Sequence, residues 1–188
     1  MISGTSRGMI HIINNSNSVV AYWKQADYQE LLKGGAAKRL LEKKAVQYLL
    51  DALGYGHCEV KYKETGQPYL HNESAFLSIS HSNGWFAVCV GSHPVGVDIQ
   101  NHSPRLILGQ DYFRNDQEVI FAEDEQALHL IWGAKEAFYK MKEGNIPDLK
   151  EEVSVLNIGE ELIVLEFGFQ NFELKYRLIN SAFLVFMK

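Results

Sequence analysis

Two periods of apolar residues run along this chain, and each marks a different kind of element. Ala37, Leu40, Leu41, Ala45, Leu49 and Leu53 recur at three- and four-residue steps, which predicts a helix over Ala36 to Leu53. Gly54 and Gly56 follow it, where glycine commonly ends a helix. The second helical stretch runs from Asp124 to Glu143 and is closed by Gly144 and Pro147. Before it, Asn115 followed by Glu118 has the spacing of a capping box. Trp23 to Leu32 carries a weaker helical pattern. Strand formers dominate Met9 to Asn14, Glu59 to Lys63, Phe76 to Ser80, Trp85 to Gly91 and Val95 to Gln100. Ser82-Asn83-Gly84 predicts a hairpin turn, and Thr65-Gly66-Gln67-Pro68 another reversal. From Glu151 onward four strands are expected (EEVSVLNI, ELIVLEFG, ELKYRLI, AFLVF), with turns at Gly159-Glu160 and Gln170-Asn171. The order strand, helix, strands recurs in both halves, with a seam near Pro94.

At 188 residues, 46% apolar and 22% charged, the chain has ordinary globular composition, which argues against long disorder and against a disulfide scaffold. No apolar run approaches the roughly 18 residues that cross a bilayer, so no membrane partner is expected. The net charge of −5 disfavours a protein that coats nucleic acid. Cys58 and Cys89 are the two cysteines, which cannot build a Cys-rich zinc site and read as packed or free thiols in a reducing compartment. The N-terminus lacks the pattern of a secretory signal, and residues 1–8 read as a flexible leader.

Three segments carry candidate chemistry. Val95-Gly96-Val97-Asp98-Ile99-Gln100 is an apolar strand holding one carboxylate, and an unpaired buried charge is costly. Strand period two puts Asp98 and Gln100 on one face. The alternative is an aspartate that caps a strand end. In Trp132-Gly133-Ala134-Lys135-Glu136-Ala137-Phe138-Tyr139-Lys140 the residues Trp132, Glu136 and Lys140 share a helical stripe. Glu136 and Lys140 also have the spacing of an ordinary surface pair. Ser78-Ile79-Ser80-His81-Ser82 combines hydroxyls and an imidazole that can meet a phosphate, or form an ordinary turn. Lys33, Lys38, Arg39, Lys43 and Lys44 against Glu42 give a local balance of +4, either a solvated face or an anion site.

Taken together, Ser-His-Ser, then Gly-Val-Asp-Ile, then Trp-x-x-Lys-Glu-Ala-x-x-Lys resembles the 4′-phosphopantetheinyl transferase superfamily, over roughly Lys61 to Lys140. The last motif is the most specific. Length and the two-half layout are similar to the surfactin-synthetase type. The resemblance implies an α+β fold of two similar α/β halves related by a pseudo-two-fold axis. Each half would hold an antiparallel sheet packed by a long helix, residues 9–93 in one and 94–188 in the other.

It also implies an enzyme that moves the 4′-phosphopantetheine arm of coenzyme A onto a serine of an apo acyl or peptidyl carrier protein, releasing 3′,5′-ADP. Mg2+ is the implied cofactor, a hard cation that takes oxygen ligands and bridges phosphates. Asp98, Gln100 and Glu136 would be its ligands, Glu136 and Lys140 the catalytic residues. Lys38, Arg39, Pro68, Ser80 and His81 would bind coenzyme A, with Lys38 or Arg39 on its 3′-phosphate. Such a protein is expected to be a cytoplasmic monomer with a role such as fatty acid biosynthesis. Two positions depart from the family pattern: Gln100 stands where an acidic residue is common, and Gln67 where a lysine is usual. The competing readings are a non-catalytic relative that binds coenzyme A or carrier protein, and an unrelated metal-dependent phosphohydrolase.

Overall fold

Trp85 to Gly91 is buried at every position, which requires a strand covered on both faces. The computed structural model, which describes residues 8–121 and 124–188, shows how. The leader expected at residues 1–8 lies, apart from Gly8, outside the described residues. The first part of the chain forms β1 (His11–Asn14), β2 (Ser18–Lys24), α1 (Tyr28–Lys33), α2 (Lys38–Ala52), β3 (Val60–Tyr62), β4 (Pro68–Leu70), β5 (Phe76–Ser82) and β6 (Trp85–Gly91). Its strands make one antiparallel sheet in the order β1-β2-β6-β5-β4-β3. The second part forms β7 (Val97–Asn101), α3 (Pro104–Leu108), 3-10 turns at Gln110–Tyr112 and Asp116–Phe121, α4 (Glu125–Met141), α5 (Leu149–Glu152), β8 (Val153–Ile158), β9 (Leu162–Phe167), β10 (Gln170–Ile179) and β11 (Ala182–Met187). These strands make a second antiparallel sheet, β7-β11-β10-β9-β8. With β1 set aside, the two sheets share one strand order: the first strand lies beside the last, and the others follow in reverse.

Alternation along the central strands sorts their side chains into three apolar clusters. Phe86, Val88 and Val90 of β6, with Ala21 and Trp23 of β2, meet Ala45, Val46, Leu49 and Leu50 of α2. The intervening residues Trp85, Ala87, Cys89, Val20 and Tyr22 instead meet Val97 and Ile99 of β7 and Leu184 and Phe186 of β11. On the far side of the second sheet, Phe183 and Val185 pack with Ile131, Ala134, Ala137 and Phe138 of α4. Two glycines let α4 come close. A Cβ on Gly96 would stand 1.8 Å from the Ala137 carbonyl oxygen, and one on Gly133 would stand 2.8 Å from Val185 Cγ2. No helix among the described residues is long and apolar enough to cross a membrane.

Several expected boundaries move. The weak helix expected over Trp23 to Leu32 is a strand through Lys24 and a helix only from Tyr28, because Trp23 pairs opposite Phe86 and shares its core. Leu40, expected on the buried helix face, is 51% exposed, whereas Leu41 beside it packs against the first core. Glu151 and Glu152 end a short helix, capped by the Asp148 carboxylate, and the strand starts at Val153. The reversal expected at Gln170-Asn171 falls at Gly168 and Phe169, where φ is 58° and 62°, so Gln170 already pairs with Phe167. The capping box forms around a 3-10 turn: Asn115 N–H donates to Glu118 Oε2 at 2.9 Å.

Candidate active site

Among the described residues, the outer edge of β7 has no strand beside it. Its amides instead find serine hydroxyls on β5: Val97 N–H donates to Ser78 Oγ at 3.1 Å, Ile99 N–H to Ser80 Oγ at 3.1 Å, and Asn101 N–H to Ser82 Oγ at 3.3 Å. The two-residue spacing of these serines matches the strand period, so one face of β5 serves three successive outward amides. This contact fixes Asp98 of β7 against Ser80.

Asp98 is 7% exposed and well partnered. Its Oδ1 accepts from Ser80 Oγ at 2.9 Å and from Lys140 Nζ at 2.8 Å. Its Oδ2 has one long contact, from Gln100 Nε2 at 3.4 Å. Lys140 Nζ donates also to Ser80 Oγ and to the Val97 carbonyl. Glu136 lies one turn before Lys140 on α4 and lines the same cleft. Burial pushes the Glu136 carboxyl up; Lys140 opposes the shift and Asp98 adds to it. The cleft has a volume of about 490 Å³ and is lined by Pro68, Ser80, His81, Asp98, Glu136 and Lys140, together with Gln67 and Tyr139. Strand, helix and turn residues far apart in sequence thus meet around one cavity.

The other expected site residues stand apart from it. Gln100 turns its amide toward α4: Oε1 lies 3.2 Å from His129 Nδ1, and Nε2 donates to the His129 carbonyl at 3.0 Å. The imidazole is itself fixed, because its Nε2 accepts from Ser103 N–H and the ring stacks on Phe183 at 4.4 Å. Gln100 therefore offers Asp98 an N–H and not a carbonyl oxygen. Lys38 and Arg39 occupy the exposed first turn of α2 and do not line the cleft. Lys38 reaches it indirectly, since Glu42 Oε1 lies 3.7 Å from Lys38 Nζ and 3.5 Å from His81 Nδ1. Tyr28 donates to that same oxygen at 3.4 Å. Ser80 and His81, adjacent in the chain, turn to opposite sides of β5, one toward Asp98 and one toward Glu42.

Sequence reasoning did not single out Glu42 or Tyr28; the four-residue step from Lys38 to Glu42 was the available signal. Nor did it assign Lys135 a partner. Lys135 is fully buried, 2.9 Å from Glu118 Oε2, and donates to the Phe113 carbonyl at 2.8 Å. At the cleft wall, Gln67 Oε1 is buried with no hydrogen-bond partner among the described residues.

The donor set suits a hard divalent cation. Asp98 and Glu136 supply carboxylate oxygens on one cavity, and among the described residues Asp98 Oδ2 carries only the long Gln100 contact. Among the described residues lining the cleft Lys140 is the one lysine or arginine to offset them, so the two carboxylates keep an excess of negative charge when ionised.

No protein-family model matches the chain. It is similar to a protein of Aneurinibacillus migulanus named 4′-phosphopantetheinyl transferase gsp, with 26% identity over 140 residues. That alignment covers 69% of this chain and 59% of the length of that protein. The similarity supports the superfamily that the three motifs resemble.

Proposed function

We propose that this chain, a relative of the 4′-phosphopantetheinyl transferases, transfers the 4′-phosphopantetheine arm of coenzyme A to a serine of an apo acyl or peptidyl carrier protein and releases 3′,5′-ADP. The observation that carries this reading is the convergence of Ser80, Asp98, Glu136 and Lys140 on one cleft. The serine oxygen of the carrier attacks the phosphorus that bears the pantetheine arm. One P–O bond forms there, and the bond to the leaving 3′,5′-ADP breaks.

Asp98 and Glu136 are the residues that would hold Mg2+, which when bound offsets the charge of the pyrophosphate. Gln100 supports this pair by orienting Asp98 through its amide N–H. Lys140, held by Asp98 and the Val97 carbonyl, stabilises negative charge on the phosphates. Glu136, with its carboxyl raised by burial, accepts the proton of the attacking serine, directly or through a water. Ser80 and His81 contact coenzyme A phosphate. Pro68 shapes the adenine end of the cleft. Lys38, with Arg39 beside it, meets the 3′-phosphate at the outer rim. Residues 9–93 and 94–188 are the two halves of this enzyme, related by a pseudo-two-fold axis in keeping with their common strand order. The enzyme works as a cytoplasmic monomer, and fatty acid biosynthesis is one pathway that supplies such a carrier.

The test mixes the protein with coenzyme A, Mg2+ and an apo carrier protein and follows the carrier by mass spectrometry. A phosphopantetheine increment is expected, and Asp98→Ala should abolish it while the circular dichroism stays unchanged. Binding of coenzyme A without any increment would establish the non-catalytic reading. Coenzyme A breakdown with the carrier unmodified would establish a phosphohydrolase. Near-normal transfer by Asp98→Ala would remove Asp98 from the metal site.

A further inference from the structure

Away from the cleft, three side chains of unlike chemistry point at one another where the turn after α2 meets the turn between β4 and β5. His57 Nε2 lies 3.4 Å from Glu73 Oε1, and Cys58 Sγ lies 4.0 Å from that same oxygen. All three ligand atoms fall within 4.8 Å of one another. None of these three side chains has a hydrogen-bond partner outside the trio among the described residues. We propose that His57, Cys58 and Glu73 form a binding site for a divalent ion of the zinc class, separate from the catalytic cleft.

The spacing supports this. Bond lengths of about 2.0–2.3 Å in a tetrahedral zinc site put neighbouring N, O and S ligands about 3.4–3.6 Å apart. The His57–Glu73 separation is already at that edge length, and the Cys58–Glu73 separation needs to close by a few tenths of an ångström. The ligands also sit on a fixed frame. Cys58 N–H donates to the Tyr55 carbonyl at 3.0 Å, and His71 N–H donates to the Glu59 carbonyl at 2.9 Å, which ties the two turns together. Asn72, at a φ of 66°, reverses the chain just before Glu73.

Exposure gives the ion a route in. The His57 side chain is 70% exposed, whereas Cys58 is 5% exposed and packs into the α2 core. Three protein ligands leave the fourth tetrahedral position to water. The donor set selects the ion: thiolate and imidazole suit Zn2+, whereas Mg2+ demands oxygen. Burial, and then the Glu73 carboxylate, push the Cys58 thiol up. On binding, the S–H bond is exchanged for an S–metal bond and the proton leaves to solvent, so affinity should rise with pH. The bound ion would clip the α2–β3 turn to the β4–β5 turn and stabilise the first sheet by mass action.

The experiment uses the full chain, stripped with EDTA and held in excess Mg2+ so that oxygen sites are filled, then titrated with Co2+ as the spectroscopic probe. One equivalent should produce intense tetrahedral d–d bands and a near-ultraviolet thiolate-to-cobalt transition, both erased by Zn2+. Cys89 cannot be the source, because it is fully buried and its thiol is pushed up to about 12. Glu73→Gln and His57→Ala alter side chains that are at least a third exposed, so the fold should survive, and each should weaken Co2+ binding about tenfold or more. Zn2+ should raise the melting temperature of the unaltered chain and leave that of Glu73→Gln in place. A cobalt spectrum without the thiolate transition, or binding untouched by Glu73→Gln and His57→Ala, would overturn the site.

Discussion

Lys140 and Lys135 are five residues apart on one helix, yet their surroundings assign them different work. Lys140 reaches Asp98 at the cleft with a side chain 26% exposed, whereas Lys135 is sealed in the core against Glu118. Lys140→Ala should cut transfer about a hundredfold, the equivalent of roughly 3 kcal/mol of lost charge stabilisation. Lys135→Ala strands a buried carboxylate and should lower stability by about 3–5 kcal/mol. Turnover of each variant, set beside its melting temperature, separates the two effects. Glu136 carries the opposite tension. Its folded pKa is raised above the unfolded value, so its contribution to stability is full at acidic pH and is lost as pH rises through the folded pKa. At pH 8 in EDTA the ionised carboxylate therefore weighs against the fold. Glu136→Gln should melt higher than the unaltered chain there, the gap should shrink toward pH 4, and transfer should be lost. A lower melting temperature for Glu136→Gln at pH 8 would contradict this account of its burial.

At the scale of elements, the junction of β5 with β7 is made by side chain to backbone bonds where a sheet would use a backbone ladder. Ser78 is 3% exposed, and its hydroxyl accepts from the buried Val97 amide. Ser78→Ala leaves that amide unpaired and should cost about 1–3 kcal/mol, read as a lower urea midpoint with an unchanged slope. The neighbouring residue Gly96 makes the other half of this arrangement, since it lets the Ala137 carbonyl approach where any side chain would collide. The two motifs that stand out in the sequence, around Asp98 and around Glu136, thus contain glycines that press their strand and helix together.

On the scale of the whole molecule, the two sheets share one apolar layer, so neither part of the chain completes its core alone. A fragment ending at His93 would uncover Trp85, Ala87, Cys89, Val20 and Tyr22, all of which meet β7 and β11 in the intact protein. Such a fragment should bind a hydrophobic dye, and its Cys89 thiol should react readily with a disulfide reagent at pH 8. In the intact chain, where the thiol is pushed up to about 12, it should stay inert. A dye-free fragment with an unreactive Cys89 would mean that the first part of the chain closes its own core.

The periodic pattern of the sequence determined the long helices and most strands, because those features depend on neighbours within a few positions; the motif residues at the cleft were legible through their resemblance to a known family. Strand period two put Asp98 and Gln100 on one face, and helical period put Glu136 and Lys140 on one stripe; that Ser82 continues the strand with Ser78 and Ser80 was not legible, because its Ser-Asn-Gly context reads as a turn. Whether Asp98 is a strand-end cap or a cleft residue was open in the sequence. The tertiary structure decided it by laying β5 and α4 on either side of β7, a contact between segments tens of residues apart. The same holds for Gln100, whose amide orientation depends on His129, and for Glu42, which gathers Lys38, His81 and Tyr28 from separate elements. Strand β2 escaped notice because its faces are divided between two cores, leaving an apolar run too short and uniform to show a period. The trio of His57, Cys58 and Glu73 has no sequence spacing that signals a site, and only the meeting of two turns brings it together.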